Sequence, residues 1–293
     1  MTPTTAILIA GPTASGKSAL AIKLARERGG VVINADSMQV YSELDILSAR
    51  PSAEDLAEAP HRLYGHQPMR EGYSAGRFFR EAERVLAEVR AEGRLPIFVG
   101  GTGLYMKTLL EGLSPVPEIP SDIRAHWRAE AVRVGPHSLH ARLTEIDPAT
   151  AALLRPSDPQ RIVRALEVLD ATGRPLSEWQ REPGRPLLRA GEAECLLLLP
   201  DRAVLRERSD ARFDSMMARG ALAEAERIAA LHLDPALPGM RALGLRPLMA
   251  HIRGEATLEA AITAGKEETR RYIKRQETWV LGNMKSWHRT FTQ

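Results

Sequence analysis

Short runs of consecutive apolar residues alternate with amphipathic segments over the first hundred residues of the chain. The runs are AILIA, VVIN and LPIFVGG, and their length is typical of strands buried on both faces of a parallel sheet. Between them, SALAIKLARERGG and AGRFFREAERVLAEVRAEG place apolar residues on one side of a helix and stop at Gly29 and Gly93. This order of strands and helices predicts a doubly wound α/β protein with a parallel sheet.

The pattern changes after the proline-rich stretch LLEGLSPVPEIPSD. The following segment reads as helices only, and the best punctuated is DPQRIVRALEVLDATG. Asp158 is its expected N-cap, Pro159 takes the first helical position and Gly173 lies just past its end. CLLLLPD then returns to strand character, and we expect the remainder to be helical. We therefore predict a core domain at 1–119 and 185–293, interrupted by an all-helical insertion domain at 120–184.

Composition narrows the class of protein. The net charge of the 293-residue chain is only +3 despite 40 Lys and Arg, so a basic surface must be local. The single cysteine, Cys195, lies in an apolar run and excludes an internal disulfide. The eight histidines lack ligand spacing, which argues against a protein-held zinc site. Without a signal segment or a long apolar run, we expect a cytoplasmic protein that does not span a membrane.

GPTASGKS matches the phosphate-loop pattern G-x-x-x-x-G-K-[ST] between a predicted strand and a predicted helix. In such a loop the backbone N–H groups converge on phosphate oxygens, Lys17 supplies charge and Ser18 can reach Mg²⁺. The sequence therefore predicts a P-loop α/β core. The complete set of predicted loop residues is Gly11, Pro12, Thr13, Ala14, Ser15, Gly16, Lys17 and Ser18.

The acidic residue that an ordinary ATPase carries at the end of an apolar strand is missing from PIFVGGT. The carboxylate instead follows the second predicted strand, as Asp36 in INADSMQVY. A strand-end aspartate beside the phosphate loop can accept a proton from an attacking nucleophile, and Thr102 can assist by hydrogen bonding. The alternatives are that Asp36 only caps the next segment and that Thr102 only stabilises a turn.

Six blocks, in order along nearly the whole chain, resemble the tRNA dimethylallyltransferases of bacterial type, also called tRNA isopentenyltransferases. They are GPTASGKS, NADSMQVY, FVGGTGLY, DPQRIVRALEVLDATGRPLSEW, RALGLRP and KRQETWVL. The resemblance implies transfer of a dimethylallyl group from dimethylallyl diphosphate to the N6 amine of the adenosine 3′-adjacent to the anticodon in tRNA. Diphosphate is released, and Mg²⁺ is the implied cofactor.

The resemblance also implies roles for individual residues. Residues 13–18 would hold the diphosphate with Mg²⁺, which Ser18 contacts through the diphosphate. Asp36 would take the proton from the amine, and Thr102 would support that amine. Together with Thr102, the block Asp36, Ser37, Met38 and Gln39 would contact an adenosine flipped out of the RNA stack.

Two arginines resemble the family's clamp on the diphosphate. Arg208 and Arg212 are one helical turn apart and so share a helix face. The alternative is surface ion pairing with Glu207 and Asp210.

Further positions correspond to residues of the family that contact tRNA. Arg161 and Arg164 are three residues apart, on the helix face opposite Ile162, Leu166 and Leu169. The implied contacts outside the adenosine-binding block are Arg124, Gln160, Arg161, Ile162, Val163, Arg164, Arg241, Ala242, Leu243, Gly244, Leu245, Arg246, Lys274, Arg275, Gln276 and Trp279.

The C-terminal stretch GKEETRRYIKRQETWVLGNMKSWHR predicts a basic helix with interleaved Tyr272, Trp279 and Trp287. The aromatic residues are expected to pack, which leaves Lys274 and Arg275 for RNA phosphates. This chain departs from the family pattern in three places. Ser18 replaces a threonine, Leu281 stands where many relatives carry arginine, and Pro247 follows RALGLR. The absence of a zinc-finger extension after Gln293 favours the bacterial form.

Three other functions are compatible with parts of the sequence. A small-molecule kinase would account for the phosphate loop and the arginine pair, but not for the insertion and the basic C-terminal helix. A prenyltransferase for free adenine nucleotides has no need of those two segments either. A non-catalytic RNA-binding switch has no use for Asp36 and Thr102. We expect a monomer because the sequence shows no dimer seam.

Overall fold

A computed structural model describes residues 5–189 and 191–290, apart from the side chain of Thr290. The chain divides into two compact units. The first combines Met1–Leu110 with Leu187–Gln293, and the second is Glu111–Pro186. The expected strand–helix alternation falls in the first unit, and the helical stretch falls in the second.

The first unit contains a six-stranded sheet whose strand pairs are all parallel, in the order β3-β2-β4-β1-β5-β6. The strands are β1 Ala6–Ala10, β2 Gly30–Asn34, β3 His61–Arg62, β4 Leu95–Gly100, β5 Ala193–Leu198 and β6 His288–Thr290. The predicted α/β class and parallel sheet are confirmed. Since β1 lies between β4 and β5, the loop that leaves β1 emerges at the middle of the sheet edge.

Side chains of the central strands alternate between the two faces of the sheet, as the two-residue period of a strand requires. In β1, Ile7 and Ile9 pack on one face together with Ile22 of the first helix. Ala6 and Leu8 pack on the other face in the larger core of the unit. Both faces are buried, which explains why the strand sequences are continuous apolar runs.

The helices of this unit begin and end with the expected signals. The first helix stops at Gly29 (φ 64°), and Ser74 accepts a hydrogen bond from the Arg77 amide at the start of the second predicted helix. The helices are α1 Lys17–Arg28, α2 Ala53–Glu58, α3 Ala75–Ala91, α4 Gly103–Glu111, α9 Arg202–Ala218, α10 Ala221–Ala229, α11 Leu245–Ile252 and α12 Leu258–Asn283, with a 3₁₀ turn at Pro238–Arg241.

The second unit is built from helices around its own apolar core. They are α5 Ser121–Ile146, α6 Pro148–Ala151, α7 Pro159–Thr172 and α8 Leu176–Trp179. Gly135 (φ 77°) and Pro136 break α5 into two helical stretches. The N-cap Asp158, Pro159 at the first position and the left-handed Gly173 (φ 66°) of α7 confirm the predicted punctuation.

Two strands were missed. The β3 strand has only two residues, and β6 contradicts the expectation that the chain is helical after β5. The C-terminal helix ends at Asn283, and the following turn leads into β6, which pairs with β5. Trp287 therefore packs in the sheet core, rather than on the helix stripe expected for it.

Candidate active site

The phosphate loop, residues 11–18, joins β1 to α1 and depends on backbone conformations that its sequence permits. Gly16 and Ala14 have positive φ angles of 88° and 65°. The sequence places a glycine at the first of these, where a side chain would be strained. A Cβ on Gly11 would lie 2.7 Å from the carbonyl oxygen of Leu198 at the end of β5. Gly11 therefore allows the loop to lie against the neighbouring strand.

Lys17 begins α1, and its ammonium group folds back over the loop. Nζ donates a hydrogen bond to the carbonyl oxygen of Pro12, 3.2 Å away. Burial lowers the pKa of Lys17 to about 8, the negative charge of Asp36 opposes that shift, and the positive charge of Arg212 adds to it. The loop thus holds a cation that a bound anion would favour.

Beside the loop lies a cavity of about 280 Å³ that brings together the loop and both predicted clamp arginines. Its lining residues are Ala14, Ser15, Gly16, Lys17, Ser18, Ala19, Arg208 and Arg212. Arg208 is exposed, whereas burial lowers the pKa of half-buried Arg212. Within the described ranges, neither arginine pairs with Glu207 or Asp210, and Asp210 instead accepts from Arg270. The alternative ion pairs are therefore not formed among the described residues, and the clamp stays a prediction.

Asp36 follows β2 and is fixed by the buried side chain of Asn34. The Asn34 Oδ1 atom accepts from the Asp36 amide at 2.8 Å, and its Nδ2 donates to the Asp36 carbonyl oxygen at 3.0 Å. The carboxylate itself accepts a hydrogen bond from the Met38 amide at Oδ1, 2.9 Å away. Within 5–189 and 191–290, no donor reaches Oδ2. Asp36 does cap the next turn, as the alternative proposed, but with only one of its oxygens.

The end of β4 meets Asp36 through two glycines. A Cβ on Gly100 would lie 2.0 Å from the Ala35 carbonyl oxygen, and one on Gly101 would lie 3.3 Å from Asp36 Oδ2. The Thr102 hydroxyl oxygen accepts from the Ser37 amide at 3.0 Å and donates to the Ser37 hydroxyl at 3.3 Å. The absence of side chains at both glycines is what allows the ends of β2 and β4 to approach.

Three tyrosines lie near enough to Asp36 to feel its charge, and the sequence predicted this for none of them. Burial, and after it the charge of Asp36, raises the pKa of Tyr64, Tyr105 and Tyr272. Tyr105 and Tyr272 lie within the quoted motifs, but nothing in their local spacing indicated proximity to Asp36.

The α12 helix lies against the carboxyl ends of the strands. Trp279 packs against Gly103, where a Cβ would lie 2.0 Å from the indole ring. Gln276 is buried, accepts from the Thr13 amide at 2.9 Å and donates to the Gly101 carbonyl oxygen at 3.0 Å. The resemblance placed both residues among the RNA contacts, and the structure shows that they also make protein contacts.

The other residues expected to contact RNA differ in how much of each is exposed to solvent. Gln160, Arg161, Arg241, Arg246, Lys274 and Arg275 are exposed. Arg124, Val163, Arg164, Leu243, Ser37, Met38 and Gln39 are partly buried. Arg275 also lies over the ring of Tyr272, 5.4 Å from its centre, and Leu281 is exposed. Pro247 lies within α11, whose helix is continuous from Leu245 to Ile252.

Three of the residues that the resemblance assigns to RNA contact have buried side chains. Ile162 and Leu245 are fully buried and Ala242 is 2% exposed, so their side chains serve the cores of their units. Gly244 (φ 79°) caps α11, which is a backbone role. A block of similar sequence contains core positions as well as contact positions, because a helix must bury one face.

In the second unit, acids accompany the predicted RNA-facing arginines. Arg161 pairs with Asp158 at 3.5 Å, and Arg164 pairs with Glu167 at 3.6 Å. Glu167 is buried and lies 3.9 Å from Arg128 as well. Arg161 and Arg128 are the most exposed members of this cluster, with 73% and 71% of their side chains accessible.

The described residues contain no group of three or more His, Cys, Asp or Glu side chains placed to hold a metal ion. In the same part of the chain, no helix is both long and apolar enough to cross a membrane. A parallel sheet with a phosphate loop at its edge and a strand-end carboxylate beside it defines an α/β protein of P-loop type.

Comparison with known proteins identifies the family. A family profile described as IPP transferase matches residues 39–283. The chain is 56% identical over 288 residues to the tRNA dimethylallyltransferase of Parvibaculum lavamentivorans, covering 98% of this chain and 91% of that one. It is 58% identical over 277 residues to that of Methylobacterium nodulans, covering 94% and 90%. The chain belongs to the IPP transferase family.

Solved structures agree. The tRNA isopentenylpyrophosphate transferase of Bacillus halodurans has a TM-score of 0.69 at 32% identity, covering 98% of this chain and 90% of that one. A eukaryotic dimethylallyltransferase acting on tRNA has a TM-score of 0.84 at 28% identity, covering 98% and 73%. The P-loop α/β fold expected from the sequence is confirmed.

Proposed function

We propose that the protein transfers the dimethylallyl group of dimethylallyl diphosphate to the N6 amine of the adenosine 3′-adjacent to the anticodon in tRNA. The observation that carries this proposal is the position of Asp36. Its carboxylate lies close enough to Lys17 and Arg212 to shift the pKa of both. The Thr102 hydroxyl accepts a hydrogen bond from the amide of Ser37, the residue that follows Asp36. A site for a leaving anion and a proton acceptor are thus adjacent.

The cavity supports binding of a diphosphate. Lys17, Arg208 and Arg212 supply positive charge, and the loop amides at the start of α1 add the favourable end of the helix dipole. As the carbon–oxygen bond of the donor lengthens, negative charge accumulates on the diphosphate. Groups already fixed around that position stabilise the charge without reorganising.

The proton of the amine requires an acceptor. The N6 lone pair attacks the allylic C1 carbon, a C–N bond forms, and the C1–O bond breaks, its electron pair leaving with the diphosphate. The amine then loses a proton to Asp36 Oδ2, the carboxylate oxygen not used by the Met38 amide. We propose that the Thr102 hydroxyl oxygen accepts a hydrogen bond from the same amine, since its own proton is donated to the Ser37 hydroxyl.

Mg²⁺ fits this site as an ion held chiefly by the diphosphate. Ser18 is exposed at the first turn of α1 and lines the cavity, so its hydroxyl is available as one ligand. The described residues provide no cluster of acids that would hold the ion alone. When bound, Mg²⁺ neutralises charge on the diphosphate.

Binding of tRNA is proposed at the exposed basic residues of the two units. Lys274 and Arg275 project from α12, and Arg161 projects from α7. A single anticodon loop has to present one flipped adenosine to Asp36, since an amine inside the stack cannot reach a buried allylic carbon. We further propose that the protein acts as a monomer in the cytoplasm.

One experiment separates this function from its rivals. The protein is mixed with Mg²⁺, dimethylallyl diphosphate and an anticodon stem-loop carrying adenines 3′ of the anticodon, and the RNA is weighed by mass spectrometry. The expected product is heavier by one C₅H₈ unit. Unchanged RNA together with ATP-dependent phosphorylation of a metabolite would establish a kinase. Prenylation of free AMP alone would establish the nucleotide prenyltransferase.

A further inference from the structure

Gln276 connects two separate parts of the site through a single buried amide. Gln276 is only 6% exposed, and both polar atoms of its side chain form hydrogen bonds. Oε1 accepts from the Thr13 amide, and Nε2 donates to the Gly101 carbonyl oxygen. Thr13 lies 263 residues away in the phosphate loop, and Gly101 lies 175 residues away after β4.

Among unbranched side chains of this length, the amide of glutamine matches the two hydrogen bonds at this position. Glutamine offers an acceptor and a donor on one planar group, whereas glutamate offers only acceptors and methionine offers neither of comparable strength. A Cβ on Gly101 would lie 2.4 Å from Nε2 and 3.3 Å from Asp36 Oδ2. Because Gly101 has no side chain, the Gln276 amide fits beside Asp36, the proposed proton acceptor.

The same turns of α12 carry residues that face in other directions. Lys274 and Arg275 are exposed, while Trp279 packs against Gly103. Buried Glu277 accepts a hydrogen bond from Arg202 at 3.0 Å. The segment that offers cations to RNA is thus the segment that is held to the phosphate loop and to the end of β4.

We propose that Gln276 is a positioning residue that couples RNA binding on α12 to diphosphate binding in the loop. This inference rests on the proposed function. RNA bound at Lys274 and Arg275 restricts α12, and the Gln276 amide transmits that restriction to the Thr13 amide and to the Gly101–Thr102 turn. A ligand that meets an already ordered loop loses less conformational entropy on binding. Each ligand must then tighten the other by the same factor.

The test measures that factor directly with a probe that cannot react. The affinity of the anticodon stem-loop is determined with and without magnesium pyrophosphate, and the affinity of pyrophosphate with and without stem-loop. For the wild-type protein we expect reciprocal tightening by roughly 5- to 150-fold. Gln276→Met retains the length of the side chain and should reduce the factor to nearly one.

Two matched variants separate coupling from simple loss of contact. Thr278→Ala changes an exposed residue of the same helix and should retain the full factor. Arg161→Ala, which removes an RNA contact on α7 and not on α12, should weaken stem-loop binding equally with and without pyrophosphate and so leave the factor unchanged. If Gln276→Met does not fold, Gln276→Glu is measured in the same way, since it retains the acceptor for Thr13 but loses the donor to Gly101.

Full coupling in a folded Gln276 variant overturns the proposal, and so does a wild-type factor of one. Prenylation of the stem-loop is assayed separately on the same preparations. A wild-type enzyme that prenylates RNA but shows no coupling would contradict the role of Gln276 alone. A protein that binds both probes but prenylates no RNA would contradict the proposed function.

Discussion

The hydroxyl oxygen of Thr102 accepts a hydrogen bond from the amide of Ser37, 3.0 Å away, and thereby joins the ends of β4 and β2. Ser37 immediately follows Asp36, so the bond fixes the backbone that carries the carboxylate. β2 and β4 are neighbouring parallel strands, and a side chain at the end of β4 would collide with the backbone that follows β2. Here Gly100 and Gly101 remove that obstacle.

We predict that Asp36→Asn lowers the single-turnover rate of prenyl transfer by about 10²- to 10⁴-fold, the usual contribution of a general base. Asparagine retains an oxygen that can accept from the Met38 amide, so the turn should persist. Pyrophosphate affinity, measured by calorimetry at pH 7, should stay near normal. Asp36→Ala should show the same loss of rate.

Asp122→Asn is the control, because it neutralises an exposed carboxylate at the first turn of α5. Its single-turnover rate should equal that of the wild-type protein. A near-normal rate for Asp36→Asn would show that the amine loses its proton elsewhere.

Removal of a phosphate contact on α7 should reduce the salt dependence of RNA binding. We predict that Arg161→Ala and Arg164→Ala each decrease the slope of log affinity against log salt by about 0.7 to 0.9. Stem-loop affinities over a series of KCl concentrations give the slope. Arg133→Ala, an exposed arginine of α5 that is bidentate to Glu130, should leave it unchanged. Unaltered slopes for both α7 variants would show that RNA phosphates bind at another surface of the protein.

Close packing of Gly103 against Trp279 gives a stability prediction. A Cβ at Gly103 would lie 2.0 Å from the indole, so Gly103→Ala must displace the ring. We expect a loss of about 1–3 kcal/mol in the free energy of unfolding, as for other overpacked sites. Urea denaturation measures it. Gly282→Ala, on the same helix as Trp279 with open space around it, should be neutral or slightly stabilising.

A double variant tests the cause of that loss. Replacing Trp279 by the smaller leucine in the Gly103→Ala background should recover part of the lost stability, because the clash is removed. Strictly additive losses in the double variant would show that Gly103 and Trp279 do not interact as the packing indicates.

Much of the fold was predictable because its signals are local. The apolar run of β1, the glycines of the phosphate loop and the caps Asp158 and Gly173 each act within a few residues of the chain. The two-residue strand β3 has no periodicity to detect. The three-residue β6 is recognisable only by its pairing with β5, about ninety residues earlier.

The candidate site, like the fold, could be predicted from the sequence only where its signals are local. Asp36 and Thr102 follow apolar runs, so their strand-end positions could be inferred from the sequence. The amide bridge of Gln276 could not be inferred, because both of its partners are more than 170 residues distant along the chain. Ile162 was included with its neighbours in a motif, although its four-residue spacing from Leu166 already placed it on the apolar face of the helix.

The lowered pKa of Lys17 makes diphosphate binding sensitive to pH in a defined direction. In the free protein, Lys17 titrates at about pH 8, and a bound diphosphate raises its pKa because the anion favours the ammonium form. Binding therefore takes up a proton above that pH. Affinity for a diphosphate ester should be constant below about pH 8 and fall towards tenfold per pH unit above it. Lys17→Arg, which stays charged, should remove most of this dependence while Arg212 is unchanged. Calorimetry from pH 7 to 9.5 in buffers of different ionisation enthalpy measures both the affinity and the proton uptake. An affinity that stays flat through pH 9 in the wild-type protein would mean that Lys17 remains charged before the diphosphate arrives.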